Sequence, residues 1–193
     1  FKDIKPKDFS MPVYFYFPTK LMFGLTKPRK KIPGSEFSGI IESVGADVNK
    51  FKVGDEVFGY RGMGLGAHAE YLSTPEKSLI TFKPDNLSHT EASTIPYGAL
   101  TALSHFKKLK IKKGYKVLVN GASGSIGSFA AQLAKHYGAE VTGVCGKNRM
   151  EFVKKIGCDH VIDYKSEDFT ESGKEYDIIY DVLRKTSFKK CKD

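Results

Sequence analysis

Residues 116–145, KVLVNGASGSIGSFAAQLAKHYGAEVTGVC, constrain the chain more than any other stretch. Lys116 to Asn120 is a short apolar, β-branched run closed by Gly121, the texture of a strand buried on both faces of a parallel sheet. Apolar residues then recur at Ile126, Phe129, Ala130, Leu133, Ala134 and Tyr137, the spacing of one helix face. Gly138 stands where a helix end wants a left-handed residue, and Glu140 to Cys145 resumes a strand. Between strand and helix lies Ala122-Ser123-Gly124-Ser125-Ile126-Gly127, a G-x-G-x-x-G turn with alanine in the first place.

That turn has a physical use. Gly124 lets a pyrophosphate approach backbone that a Cβ would shield, and Gly127 lets the helix pack close to the strand. The helix start offers unpaired N–H groups and the positive end of its dipole. A glycine pattern alone is weak, but here the required strand precedes it and the required helix follows, so the six residues 122–127 are read as a dinucleotide site. NAD-preferring sites place Asp or Glu at the end of the second strand, to bond the ribose 2′-hydroxyl. Here that place is Cys145, followed by Gly146, Lys147, Asn148 and Arg149. No carboxylate stands there to repel a 2′-phosphate, and Lys147 and Arg149 supply cations for it, arginine in bidentate fashion. NADPH is therefore expected over NADH. The blander account makes these two the cationic first turn of an exposed helix.

With 193 residues, 40% of them hydrophobic, the chain is long enough for one large domain or two small ones. No apolar run is long enough to span a membrane. Cys145, Cys158 and Cys191 have neither disulfide-framework nor zinc-cluster spacing, which points to a reducing, cytoplasmic setting. The net charge of +9 comes from lysines spread over many segments rather than a basic stripe interleaved with aromatics. An anionic cofactor accounts for it more simply than nucleic acid, and neither nucleic acid nor membrane is expected as a partner.

Residues 1–31 are dense in Lys, Pro and aromatics; Tyr14 to Phe17 reads as a strand or Leu21 to Leu25 as a helical turn, and periodicity does not decide. Lys27, Arg29, Lys30 and Lys31 read as a solvated loop. From Ile32 to Pro84 the texture is all-β, with strands expected at Phe37–Val44, Glu56–Tyr60, Ala67–Thr74 and Leu79–Phe82. Ser88 to Glu91 is a capping box opening a helix at Thr90, which Pro96 and Gly98 should break before a second helix from Leu100 to Leu109. Beyond Cys145, a helix (147–156), a strand (160–164), a short helix or loop (166–172), a strand (177–183) and a last helix from Thr186 continue the alternation.

These blocks, with PGSEFSGIIESVG (33–45), FKVGDEVFG (51–59), GAHAEY (66–71) and the glycine fingerprint, resemble the medium-chain dehydrogenase/reductase superfamily, most closely its zinc-independent, quinone-oxidoreductase-like branch. The resemblance implies an α/β fold with a GroES-like β-barrel catalytic domain over 1–95 and a Rossmann domain over 96–193, both incomplete relative to the family and the second limited to four strands. It implies that Thr101 lies near the nicotinamide or phosphates and Tyr164 beside the adenosine ribose, with Met63 to Gly66 bordering the substrate cleft. Each has a bland alternative, Thr101 as a helix-start residue and Tyr164 as a strand-end aromatic. Val182-Leu183-Arg184 departs from the family's glycine-containing turn, and the fourth strand is expected at an uncovered sheet edge.

Zinc divides the family's chemistry. Its zinc enzymes carry a histidine where this chain has Ser35, between Gly34 and Glu36, a second catalytic cysteine near Tyr97-Gly98, and four clustered cysteines between Gly59 and Leu79; none is present here. His68, His89, His105, His136 and His160 form no ligand pair. The expected function is an NADPH-dependent, zinc-free transfer of hydride to a quinone, enone or aldehyde, with a homodimer as the candidate assembly and no catalytic residue assignable. The alternative is a catalytically weak NADPH sensor or structural protein of the same fold.

Overall fold

A computed structural model describes residues 27 and 29–191. They form two compact units that divide between Thr81 and Phe82. The expectations for 14–17 and 21–25 lie outside the described residues.

In the first unit β1 (Glu36–Ile40), β2 (Glu56–Tyr60) and β3 (Leu79–Phe82) make a sheet in that order. β1 and β2 run antiparallel with Phe37 opposite Gly59. A Cβ on Gly59 would stand 2.4 Å from the Leu79 carbonyl oxygen, so only glycine admits the third strand at this point. Phe51 and Val57 are buried beside the sheet's turns. The strand expected over Ala67–Thr74 does not form among the described residues. Its first N–H groups are taken elsewhere: Ala67 donates to the Gly34 carbonyl (3.0 Å) and His68 to that of Pro33 (2.9 Å), which folds 66–74 as an irregular crossing.

The second unit carries α1 (His89–Ala92), α2 (Pro96–Leu109), β4 (Lys116–Asn120), α3 (Ser125–His136), β5 (Glu140–Cys145), α4 (Met150–Lys155), β6 (His160–Asp163), β7 (Ile178–Asp181) and α5 (Phe188–Cys191). Its four strands are all parallel, in the order β6-β5-β4-β7. That is the 3-2-1-4 half of a doubly wound sheet. α1 has the full capping box: the Ser88 hydroxyl accepts from the Glu91 N–H at 3.2 Å, and the Glu91 carboxylate accepts from the Ser88 N–H at 2.9 Å. Residues 82–95, expected with the first domain, group by contact with the second.

Pro96 does not break α2 but opens it, because a first-turn proline loses no helical hydrogen bond. Gly98 stays inside that helix for a packing reason: a Cβ there would lie 2.5 Å from the Ser125 hydroxyl and 2.8 Å from the Ser125 carbonyl oxygen. α2 thus crosses the first turn of α3 at contact distance.

Strand residues sort by parity, as a two-sided sheet requires. Val117, Val119 and Val141 face a core completed by Ala102 and Phe106 of α2, Ala130, Ala131 and Ala134 of α3, and Val153 of α4. Leu118, Val144 and Ile162 face the other way, against Phe169, Tyr176 and Ile179. Full burial of 117–119 explains why β4 reads as an unbroken apolar run.

Candidate functional site

β4 has β5 on one side and β7 on the other, so the chain leaving its carboxyl end stands where the strand order reverses. In open α/β sheets that crevice takes ligands. Gly121 makes the turn with φ +88°, a left-handed backbone that favours glycine. The Gly121 and Ala122 N–H groups both donate to the Val144 carbonyl at 3.0 Å, tying the turn to β5, and the Gly124 N–H donates back to Gly121 at 3.0 Å. Ala122 is fully buried beneath it, and Ser123 is half-buried.

The two glycines of the helix start act differently. A Cβ on Gly127 would fall 2.1 Å from the Gly121 carbonyl oxygen and 2.8 Å from its carbon, both rigid backbone. A Cβ on Gly124 would meet only the Gly121 oxygen, at 3.5 Å, an ordinary contact. Gly127 is therefore required for packing, whereas Gly124 leaves open space in front of the turn. Gly124 is the N-cap of α3 and brings no side chain to satisfy the first N–H groups. The helical bonding starts with Ser128 N–H to the Gly124 carbonyl (2.9 Å). Ahead of it the N–H groups of Ser125, Ile126 and Gly127 face the helix end without intrahelical acceptors, and no acidic residue occupies the first turn. A helix start left open in this way favours an anionic group in front of it.

At the end of β5 the structure brings together residues from two strands. The Tyr164 ring lies 3.4 Å from the Cβ position of Gly146, and the Tyr164 N–H donates to the Cys145 carbonyl at 3.2 Å. Lys147 and Arg149 share the 3-10 turn that follows Gly146; both are exposed and neither enters an ion pair among the described residues. Cys145 is paired in register with Asp163 of β6. Burial, and then the Asp163 charge, push the Cys145 thiol above its usual range. A carboxylate therefore does stand at this edge, on the strand beside the one that Cys145 ends. Asp163 is partly occupied, accepting the Lys165 N–H at 3.1 Å.

Thr101 sits half-buried one turn beyond Gly98, on the helix that crosses the start of α3. Met63 to Gly66 belong to the first unit, where Gly62–Gly64 form a 3-10 turn and Leu65 is left-handed at φ 51°.

Sequence reasoning missed the pair that holds the crevice. Asn120, 7% exposed at the end of β4, donates from Nδ2 to Asp181 Oδ1 of β7 at 2.9 Å. Asp181 also accepts the Leu183 N–H on Oδ1 and the Thr186 N–H on Oδ2, each at 3.1 Å. The loop after β7 is so fixed that Leu183 packs on the glycine turn, its Cγ 2.9 Å from where a Gly121 Cβ would be. The available signal was an Asp ending a strand before a polar loop, the pattern of an Asx turn.

Two family models match the chain: the alcohol dehydrogenase GroES-like domain over residues 4–85 and the zinc-binding dehydrogenase domain over 125–191. The human mitochondrial NAD(P)H oxidoreductase RTN4IP1 is 40% identical over 168 residues, 78% of this chain and 42% of that protein. The chloroplastic quinone-oxidoreductase homolog of Spinacia oleracea is 36% identical over 79% of the chain and 50% of its own length. Among solved structures, the quinone oxidoreductase from Coxiella burnetii superposes with a TM-score of 0.74 at 29% identity, covering 93% of this chain and 56% of that one. The chain belongs to the medium-chain dehydrogenase/reductase superfamily, in its quinone-oxidoreductase-like group.

Within that superfamily the α/β architecture is a GroES-like domain followed by a parallel nucleotide-binding sheet, here of four strands. The cofactor of the family is a nicotinamide dinucleotide. The chain spans about half the length of the relatives it matches. The expectation of a cytoplasmic setting is corrected: the human relative is mitochondrial and that of Spinacia oleracea chloroplastic, and thiols kept reduced do not distinguish these compartments from the cytosol. No helix among the described residues is long and apolar enough to cross a membrane.

Proposed function

We propose that this chain binds NADPH in preference to NADH, and that the protein reduces a quinone or α,β-unsaturated carbonyl with it, without zinc. The observation that carries the reading is the uncapped start of α3 behind Gly124, set at the switch point of the sheet. The names of the relatives, quinone oxidoreductases and a 2-methylene-furan-3-one reductase from Solanum lycopersicum that is 36% identical, support the substrate class.

In this reading the N–H groups of 124–127 hold the pyrophosphate, Tyr164 and Gly146 flank the adenosine ribose, and Lys147 and Arg149 take the 2′-phosphate. Thr101 lies towards the nicotinamide side. The nicotinamide, when bound, supplies a hydride to an electron-poor carbon. The protein's task is then orientation and exclusion of water.

The donor set does not fit zinc. Among the described residues no three His, Cys, Asp or Glu side chains cluster as a ligand set. Ser35 stands at the family's histidine place, and the buried thiols of Cys145 and Cys158 are held protonated. Quinones and enones, which accept hydride without a metal to polarise them, are the matching substrates, and neither nucleic acid nor a membrane is invoked as a partner. A homodimer is compatible with the reading.

The test is NADPH consumption by the complete protein with a panel of quinones, enones and aldehydes, before and after dialysis against a chelator. Chelator-resistant turnover is expected. Loss of activity on chelation would overturn the zinc-free mechanism. Tight NADPH binding with no turnover on any acceptor would favour a sensor or structural role. Calorimetry of K147A/R149A should show NADPH weakened far more than NADH; equal losses would overturn the cofactor preference and make Asp163 the residue to examine.

A further inference from the structure

We propose that Arg184 is a further anion-binding residue of this crevice, giving a cation to the pyrophosphate of the bound dinucleotide; the proposal rests on the dinucleotide reading above. Arg184 has φ +52°, one of three non-glycine residues with positive φ among those described. It stands where the family resemblance leads one to expect a glycine-containing turn. The conformation is imposed from both sides, because Asp181 holds the N–H of Leu183 before it and of Thr186 after it, each at 3.1 Å. The same carboxylate is anchored to Asn120 at the end of β4.

The Leu183 side chain packs on Gly121, which brings the loop that carries Arg184 to the glycine turn. Arg184 is exposed and outside any ion pair among the described residues, with exposed Lys185 following. A left-handed arginine is strained where glycine would be at ease, and such outliers cluster at ligand clamps. A guanidinium offers a phosphate two parallel N–H donors and a full positive charge, and a glycine at this place would offer neither. Lys147 and Arg149, by contrast, sit at the end of β5 and serve a different phosphate. The two cation sets divide the cofactor, one common to NADH and NADPH and one reading the 2′-phosphate.

Calorimetric titration of the complete protein with NADPH and with NADH, for wild type, R184G and R184K, tests this. Glycine adopts φ +52° freely, so apo R184G should melt no lower than wild type. The expected result is that R184G weakens both cofactors by a similar factor, about tenfold for one charge-assisted contact, with R184K keeping part of the affinity. R184G binding both cofactors as wild type does would overturn the proposal. A loss confined to NADPH would also overturn it, by assigning Arg184 to the 2′-phosphate. Wild type that binds neither cofactor is a different failure, that of the dinucleotide reading itself.

Discussion

Gly124 and Gly127 lie three residues apart, yet replacing each with alanine should damage different properties. At Gly127 the added methyl would sit 2.1 Å from the Gly121 carbonyl oxygen and 3.0 Å from Ala122 Cα. The first distance is about 1 Å short of the closest approach a Cβ tolerates, and both neighbours are backbone, so α3 must move as a body. Overpacking of this kind costs about 1–3 kcal/mol. The displacement also pulls the N–H groups of the first turn out of alignment. At Gly124 the backbone is φ −83°, ψ 171°, open to any residue, and the methyl meets one atom at 3.5 Å. Apo G124A should stay within about 0.5 kcal/mol of wild type, the range of a neutral exposed substitution. Its methyl occupies the space the pyrophosphate would enter, so dinucleotide affinity should fall at least about tenfold, or 1.4 kcal/mol. Urea melts of the apo proteins and calorimetric titration with NADPH read the two effects separately. G124A that binds like wild type, or G127A that melts like wild type, would refute the division of roles.

Lys110 ends α2 in the left-handed region at φ +48°, and K110G should raise stability by roughly 1 kcal/mol in a urea melt. Burial drives the Asp159 carboxyl up, but the Lys135 ammonium at 2.8 Å and the Val141 N–H at 2.7 Å outweigh it and leave the group below its usual value of 3.8. Its contribution is therefore present above the unfolded value and lost as pH falls through the folded one. D159N should lose up to about 1 kcal/mol at neutral pH, a figure discounted for exposure, and should show a flatter loss of stability below pH ~4. Burial, then the Asp159 charge, raise the Cys158 thiol to about 12. At neutral pH a thiol reagent should label half-buried Cys191 well before Cys158, read by peptide mass, and comparable rates would show that the β5–β6 edge opens.

The nucleotide-binding half was legible because its signals are local. β4, α3 and β5 each declare their period, and Gly138, at φ +81°, ends the helix as its position implied. What escaped depended on partners distant in the chain. The segment 67–74 alternates well enough for a strand, but its N–H groups find the 33–34 turn instead of a ladder. Pro96 and Gly98 read as breakers because their usual effect is local; their reasons here are a first-turn position and the close approach of Ser125. Asp181 looked like any strand-end acid, since nothing nearby in sequence reveals that Asn120 reaches across to it. Cys145 ends β5 without a carboxylate, and only parallel pairing, invisible in the local sequence, sets Asp163 alongside it.

The bond between Asn120 and Asp181 spans 61 positions of sequence. The floor of the crevice therefore exists only once β7 has docked, after two whole strand–helix repeats have been threaded past it. Under the dinucleotide binding proposed above, the ligand would recognise this finished state and nothing earlier, and at a hundredfold excess over Kd it would deepen the native well by about 2.7 kcal/mol. On that proposal, resistance of the protein to proteolysis would rise and fall with the supply of its coenzyme.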